Sequence, residues 1–190
     1  MDKKDLMDKL NKMLPKNRII HSEGVAKCAV KLSKIYKCDE EKAYISGILH
    51  DCAKYLNQDE VDYYVRKYKI DLDEYEKDSL ALSHSIIGSV LVKNEFFIED
   101  IDIINSIRYH TTGKENMNIL EKIIYLADVI EENRSYPGVD ELRELAFEGK
   151  LDSAILKSFN NTIEIVIKRN QIIHPRTIKA RNYILENLSL

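Results

Sequence analysis

The segment GILHDCAKYL, at residues 47–56, places a histidine and an aspartate side by side within an otherwise apolar stretch. Lys54 follows three residues after Asp51 and four after His50. If the segment is helical, these three polar side chains occupy neighbouring positions of one helix face. Burial of such groups without partners costs several kcal/mol each, so the pair predicts a bound ligand or ion and not simple core packing.

Further polar residues interrupt the apolar stripes of other predicted helices, and four of the five histidines belong to this set. Its members outside the first segment are His21, His84, His110 and Asp128. A lone inward histidine is more often a hydrogen-bonded core residue, and Asp51 alone could pair with Lys54. Imidazole and carboxylate are both metal ligands, and a shared cation would neutralise the carboxylates. The concentration of these groups therefore favours a metal or anion site.

Length, charge and cysteine usage limit the class of protein. The 190 residues suffice for one domain with a substantial core, and a net charge of −3 provides no basic field for nucleic acid or anionic lipid. The three cysteines have no CxxC spacing, which predicts reduced thiols. The charged N-terminal stretch is unlike a signal peptide, and no apolar run is long enough to span a membrane. We expect a cytoplasmic protein that binds neither nucleic acid nor membranes.

Helical periodicity extends along almost the whole chain, and only six glycines and three prolines interrupt it. The segment TIEIVI at 162–167 alternates like a strand, but its helical flanks favour a helix. Asp39 is expected to cap a helix, and Pro137-Gly138 and His174-Pro175 to separate helices. The small residues Ala43 and Gly47 are expected to leave room for a ligand beside the polar pair. The predicted helices of this all-α domain span 3–14, 18–37, 39–56, 58–69, 84–95, 99–111, 117–132, 138–148, 151–170 and 175–187.

The order His21, His50-Asp51, His84, His110, Asp128 resembles the HD-domain phosphohydrolase superfamily, which carries H…HD…D on a helical bundle. Within it the chain is similar to the YqeK group, the HD-type symmetrical diadenosine tetraphosphate hydrolases. The segments that carry this resemblance, from about residue 18 to 187, are RIIHSEGVAKCAVKLSKIY, GILHDCAKYL, LSHSIIGSVL, IRYHTTG, IIYLADVIEENRSYPGV and HPRTIKARNY. The resemblance implies a single HD domain over 1–190, with a motif-bearing core of about 18–135 and C-terminal helices 138–187 that complete a nucleotide pocket.

The resemblance also implies roles for individual residues. The metal ligands would be His21, His50, Asp51 and Asp128, and iron is expected in this group, although manganese, nickel and zinc accept the same donors. The catalytic residues would be Asp51, Lys54, His84 and His110. The substrate would contact His21, Lys54, His84, His110, Thr111, Thr112, Arg134, Gln171, Ile172, Ile173, His174, Pro175 and Arg176.

The reaction implied is the cleavage of diadenosine tetraphosphate to two ADP by attack of a metal-activated water. Lys54 would stabilise phosphoryl oxygens, and His84 and His110 would bind the same oxygens or protonate the departing ADP. Arg176 is expected at a helix N-terminus, where phosphate binding is favourable.

Three alternatives to this reaction stay open. They are another HD-type nucleotide phosphohydrolase or phosphodiesterase, a dinuclear-iron oxygenase in which His84 and His110 hold a second ion, and a non-catalytic nucleotide-binding module. A homodimer through the helix predicted at 138–148 also stays open.

Overall fold

The computed structural model describes residues 3–188, and within that range it contains eleven helices and no strand. The predicted all-α class is therefore confirmed. Of the predicted domain 1–190, residues 1, 2, 189 and 190 lie outside the described residues. The helices are α1 Lys3–Met13, α2 Lys16–Tyr36, α3 Glu40–Leu49, α4 Gln58–Tyr68, α5 Glu74–Lys77, α6 Leu80–Asn94, α7 Ile101–Tyr109, α8 Ile119–Ile130, α9 Val139–Phe147, α10 Leu151–Lys168 and α11 Pro175–Asn187.

Helix starts follow local capping chemistry. The predicted cap at Asp39 is confirmed, because its carboxylate accepts hydrogen bonds from the backbone N–H groups of Glu41 and Lys42. Gly138 adopts the left-handed conformation (φ 90°) immediately before α9, and Pro175 begins α11, so both predicted breaks are also confirmed. The segment 162–167 lies within α10 and is helical, as expected.

Helices α3 and α7 end earlier than predicted, and in each a histidine follows the last helical residue. α3 ends at Leu49 and not at residue 56, and His50 follows it. The His50 ring Nδ1 lies 2.7 Å from the Gly47 carbonyl, so the side chain takes an acceptor that the next helical N–H would use. His110 does the same after α7, with its Nδ1 2.8 Å from the Ile107 carbonyl. The polar pair thus stands at the end of a helix, not in its middle.

α2 lies at the centre of the bundle, between α3 and α8. Its inward face is apolar, since Val25, Ala29 and Leu32 are fully buried. The expectation that Gly47 leaves room for a ligand is wrong, because a Cβ there would come within 2.6 Å of the Ala26 Cα. The glycine instead permits close contact between α2 and α3, and this contact fixes the position of the HD pair.

One large apolar cluster draws on most of the helices, from Leu6 in α1 to Ile184 in α11. Tyr125 of α8 and Phe159 of α10 pack against each other with ring centroids 4.6 Å apart. This core holds α2, α3 and α8, which carry the candidate site, in a fixed relation to one another. No helix in the range 3–188 is long and apolar enough to cross a membrane.

Candidate metal centre and adjoining cavity

The four predicted metal ligands meet at one point. His21 comes from α2, His50 and Asp51 from the turn after α3, and Asp128 from α8. The His21 Nε2 lies 2.9 Å from Asp128 Oδ1 and 4.0 Å from Asp51 Oδ2. The His50 Nε2 lies 3.5 Å and 3.7 Å from the same two oxygens. Such separations suit donors that share one ion at the usual ligand distances of about 2.0–2.2 Å.

The donor chemistry of the histidines fits a divalent ion. A carbonyl can only accept, so the ring of His50 donates from Nδ1 to Gly47, and in its neutral form it keeps a lone pair on Nε2. His50 is fully buried, and this Nε2 has no hydrogen-bond partner among the described residues. This lone pair is buried and faces two carboxylates, which can also only accept. A cation between the three groups would satisfy all of them.

The charge distribution leads to the same conclusion. Burial opposes ionisation of Asp51, but the charge of His50 and hydrogen bonds from the neighbouring histidines hold its pKa far below the usual range. Partial burial also opposes ionisation of Asp128, but a hydrogen bond from His21 and the charge of His50 lower its pKa. The pKa of His50 is raised despite its burial, because Asp51 and Asp128 are negative. The site therefore attracts positive charge.

Two arginines flank the four donors. Arg134 Nη2 donates to Asp128 Oδ1 at 2.7 Å and lies 3.4 Å from the His21 Nε2, beside the candidate centre. Arg18 Nη1 donates to Asp51 Oδ2 at 2.8 Å; this residue opens the segment RIIHSEGVAKCAVKLSKIY, but no role was predicted for it from the sequence. Its position three residues before His21 places both on one face of α2, which is the signal that could have identified it.

A second group adjoins the first through the other oxygen of Asp51. His84 Nε2 and His110 Nε2 lie 3.1 Å and 3.5 Å from Asp51 Oδ1, and 3.1 Å from each other. Lys54 Nζ lies 3.2 Å from His84 Nε2 and 3.8 Å from Asp51 Oδ1. Burial, opposed by a hydrogen bond with Asp51, lowers the pKa of His84 to about 4, so this ring is neutral at pH 7.

A cavity of about 500 Å³ opens beside these histidines. Thr111 lines it, and the Thr111 Oγ1 lies 3.4 Å from His84 Nε2 and 3.3 Å from His110 Nε2. Thr112 is buried and donates to the Gly113 carbonyl, so it is not part of this wall. The predicted substrate residues that do line the cavity are Thr111, Gln171, Ile172, Ile173 and His174.

The guanidinium of Arg176 is already paired with a carboxylate, whereas a residue that binds phosphate was expected here. Arg176 stands at the start of α11 as predicted, but its Nη1 donates to the buried Glu76 at 2.8 Å. His174 Nε2 donates to Asp73 at 3.0 Å, and its Nδ1 accepts the Arg176 backbone N–H. These bonds tie α11 to α5, a four-residue helix that the sequence did not predict. Pro175 and Arg176 line a neighbouring depression together with Tyr109 and Lys179.

Comparisons with known proteins agree with this geometry. A model of the HD domain family matches residues 18–133. The symmetrical bis(5'-nucleosyl)-tetraphosphatase of Bacillus subtilis (strain 168) is 36% identical over 97% of this chain and 98% of its own. The protein of the same name from Halalkalibacterium halodurans is 40% identical over 90% and 91%. A crystal structure of a predicted HD superfamily hydrolase involved in NAD metabolism from Clostridium acetobutylicum is 41% identical, covers 99% of both chains and superposes with a TM-score of 0.95.

Proposed function

The chain belongs to the HD domain family, and from this premise we propose that it is a metal-dependent hydrolase that splits diadenosine tetraphosphate into two molecules of ADP. One observation carries the proposal. The cavity of about 500 Å³, which is large enough for a nucleoside, borders the histidine pair at Thr111, next to the four metal-ligating groups. A nucleoside and a reactive phosphate could thus be bound side by side.

The metal would be held by His21, His50, Asp51 and Asp128, and we propose iron as the ion. A divalent ion held there supplies an activated water at neutral pH and a positive charge for the phosphate oxygens. Asp51 serves both groups of residues, because its Oδ2 faces the metal ligands and its Oδ1 faces His84 and His110.

Lys54, His84 and His110 would bind the phosphate that is attacked. The Lys54 ammonium would stabilise the charge that develops on the phosphoryl oxygens as the bond to the departing ADP breaks. His84 is neutral at pH 7, so we assign it hydrogen bonding to these oxygens and not delivery of a proton. The His110 Nε2 would contact the same oxygens, and a His110 ring that carries a proton on both nitrogens would protonate the bridging oxygen of the leaving ADP.

The wall at 171–176 would contact the nucleoside. Ile163, Ile172 and Ile173 provide apolar surface for a base, and Gln171 provides a polar side chain at the same wall. Arg176 would contribute through its bond to Glu76, which holds the start of α11 against α5. Arg134 would contact phosphate from beside Asp128, where its guanidinium already lies.

A second candidate is an HD enzyme with two ions, either a phosphodiesterase or an oxygenase. The observation that favours it is the second cluster, in which Asp51, His84 and His110 bring three donor atoms within 4.8 Å of one another. Against it, the Lys54 ammonium already stands 3.2 Å from His84 and would repel a second ion. Metal content separates the two, with one ion per chain expected here and two expected for the alternative.

The experiment that tests the proposal separates reaction products by chromatography. The purified protein is incubated with diadenosine tetraphosphate, with and without added iron or manganese. We expect ADP as the sole product, lost in Asp51→Ala and retained in Asp71→Ala, which changes an exposed aspartate. AMP together with ATP would refute symmetrical attack, and no turnover with either metal would refute the hydrolase.

A further inference from the structure

Glu131 is a buried carboxylate next to the four metal-ligating groups, and it is not one of them. It follows the end of α8, and its Oε1 lies 3.1 Å from the His21 Nδ1. Its Oε2 accepts hydrogen bonds from the Asn133 backbone N–H at 2.7 Å and from the Asn133 Nδ2 at 2.9 Å. Both oxygens of the carboxylate are therefore used as acceptors.

This contact determines which nitrogen of His21 faces the centre. Both oxygens of Glu131 are placed as acceptors, so the His21 Nδ1–H is the donor of this hydrogen bond. With Nδ1 committed to Glu131, the His21 Nε2 is the nitrogen that faces Asp51 and Asp128, and a cation bound there would take the place of its proton. His50 and His110 are oriented in the same way, but they donate to neutral backbone carbonyls. A charged acceptor holds the imidazole more strongly and makes its other nitrogen a better metal donor.

The surroundings of Glu131 are shaped to hold it in this position. A Cβ on Gly24, one turn after His21 in α2, would lie 3.0 Å from the Glu131 carboxyl carbon and would collide with its Oε2. Arg143 of α9 donates to the carbonyls of Ile130, Glu131 and Arg134 and so fixes the backbone after α8.

We propose that Glu131 is a positioning residue that sets the orientation and tautomer of His21, and that Gly24 provides the space it occupies. The inference rests on the proposed function only in taking His21 as a metal ligand. Glutamine cannot replace Glu131, because its NH₂ group would face a donor at either His21 or Asn133. Partners of this kind typically change metal affinity about 10–100-fold.

The test measures Mn²⁺ binding by the full-length chain after a chelator has removed its metal, with free Mn²⁺ followed by electron paramagnetic resonance. We expect the dissociation constant to rise about 10–100-fold in Glu131→Gln and at least about 10-fold in Gly24→Ala. Two matched controls should stay close to the parent chain. Glu132→Gln changes an exposed neighbour with a 61% accessible side chain, and Gly88→Ala adds a methyl 3.5 Å from the Cys52 Sγ, an ordinary contact.

A second comparison separates positioning from a general loss of structure. In a Glu131→Ala background, Gly24→Ala should weaken Mn²⁺ binding no further, because the side chain that it displaces is already gone. A merely structural role would lower the melting temperature of the metal-free chain and leave the Mn²⁺ affinity unchanged. If Glu131→Gln does not fold, the test is the Mn²⁺ dissociation constant of Gly24→Ala compared with that of Gly88→Ala.

An unchanged Mn²⁺ affinity in folded Glu131→Gln or Gly24→Ala would overturn the proposal. The measurement involves no nucleotide, so a parent chain that binds Mn²⁺ but does not cleave diadenosine tetraphosphate would refute the proposed function alone.

Discussion

Asp51 presents its two carboxylate oxygens to two different groups of residues, and we therefore expect its replacement to be the most damaging in the site. Its Oδ2 lies among the proposed metal ligands and also accepts from Arg18, whereas its Oδ1 faces His84 and His110. Loss of this side chain would remove a proposed metal ligand and the shared partner of His84 and His110 together. Its neighbour His50 belongs only to the first group.

Lys54 is the residue whose replacement should separate metal binding from catalysis. Lys54→Met removes the ammonium beside His84 but keeps an unbranched apolar chain of similar length. We expect the turnover number to fall about 10²–10³-fold, because a charge-stabilising group is lost from the transition state, while metal content stays at the parent level. Lys93→Met, which changes an exposed lysine of α6, is the control. Parent-like turnover in Lys54→Met would remove the ammonium from the mechanism.

The residues that sequence reasoning missed share one property, which is that their partners are distant in the chain. His21, His50 and Asp128 could be predicted because imidazole and carboxylate on apolar stripes are unusual in themselves. Arg18 and Glu131 are charged residues at helix ends, where such residues are common. Glu131 is 110 residues from His21, and local periodicity contains no information about that contact.

At the level of elements, the apolar period predicted most helices but not where α3 and α7 end. Those ends depend on the rings of His50 and His110, each of which bonds a carbonyl three residues before it. The spacing of apolar residues does not show that a side chain will bond a backbone carbonyl in place of the next helical N–H. α5 was missed because four residues are too few to show a period.

The contact between α5 and α11 should matter for substrate affinity and for stability. Glu76→Gln weakens the buried bond to Arg176, and we expect the free energy of unfolding to fall by about 1.5–3 kcal/mol, the usual contribution of a hydrogen bond between charged groups. The Michaelis constant should rise, because α5 and α11 both border the cavity. Urea unfolding and initial rates measure the two effects, with exposed Glu99→Gln as control. If neither the free energy of unfolding nor the Michaelis constant changed, the bond between Glu76 and Arg176 would be dispensable.

A pH-dependent contribution is expected where α4 meets the end of α6. A hydrogen bond from Tyr68, with Lys67 adding a second, lowers the pKa of Glu95 from 4.5 to about 2. A lowered carboxyl pKa stabilises the fold above pH 4.5, and this stabilisation is lost as the pH falls toward 2. Glu95→Gln should therefore cost about 1 kcal/mol at pH 7 and progressively less below pH 4.5. Urea titrations at pH 7 and pH 3.5 test this, and an equal loss at both values would contradict it.

For the whole molecule, metal removal should loosen the centre without unfolding the bundle. The main apolar cluster does not depend on the site residues, so a chelator should leave the far-ultraviolet circular dichroism signal intact. Re-addition of Mn²⁺ at about 100 times its dissociation constant should stabilise the fold by about 2.7 kcal/mol and raise the melting temperature. Asp51→Ala should show no such response. A chelated chain that loses its helical signal would show that the metal is part of the fold.

The distance along the chain between the parts of the centre has a consequence for synthesis. The His21 side of the site is made early, whereas Glu131 follows 110 residues later and contacts it only after α8 has packed on α2. Closing so long a segment is entropically costly and slow compared with forming the local helices. On the ribosome, α2 and α3 would leave the exit tunnel well before α8. The full set of four proposed ligands would therefore come together only after α8, which carries Asp128, has emerged.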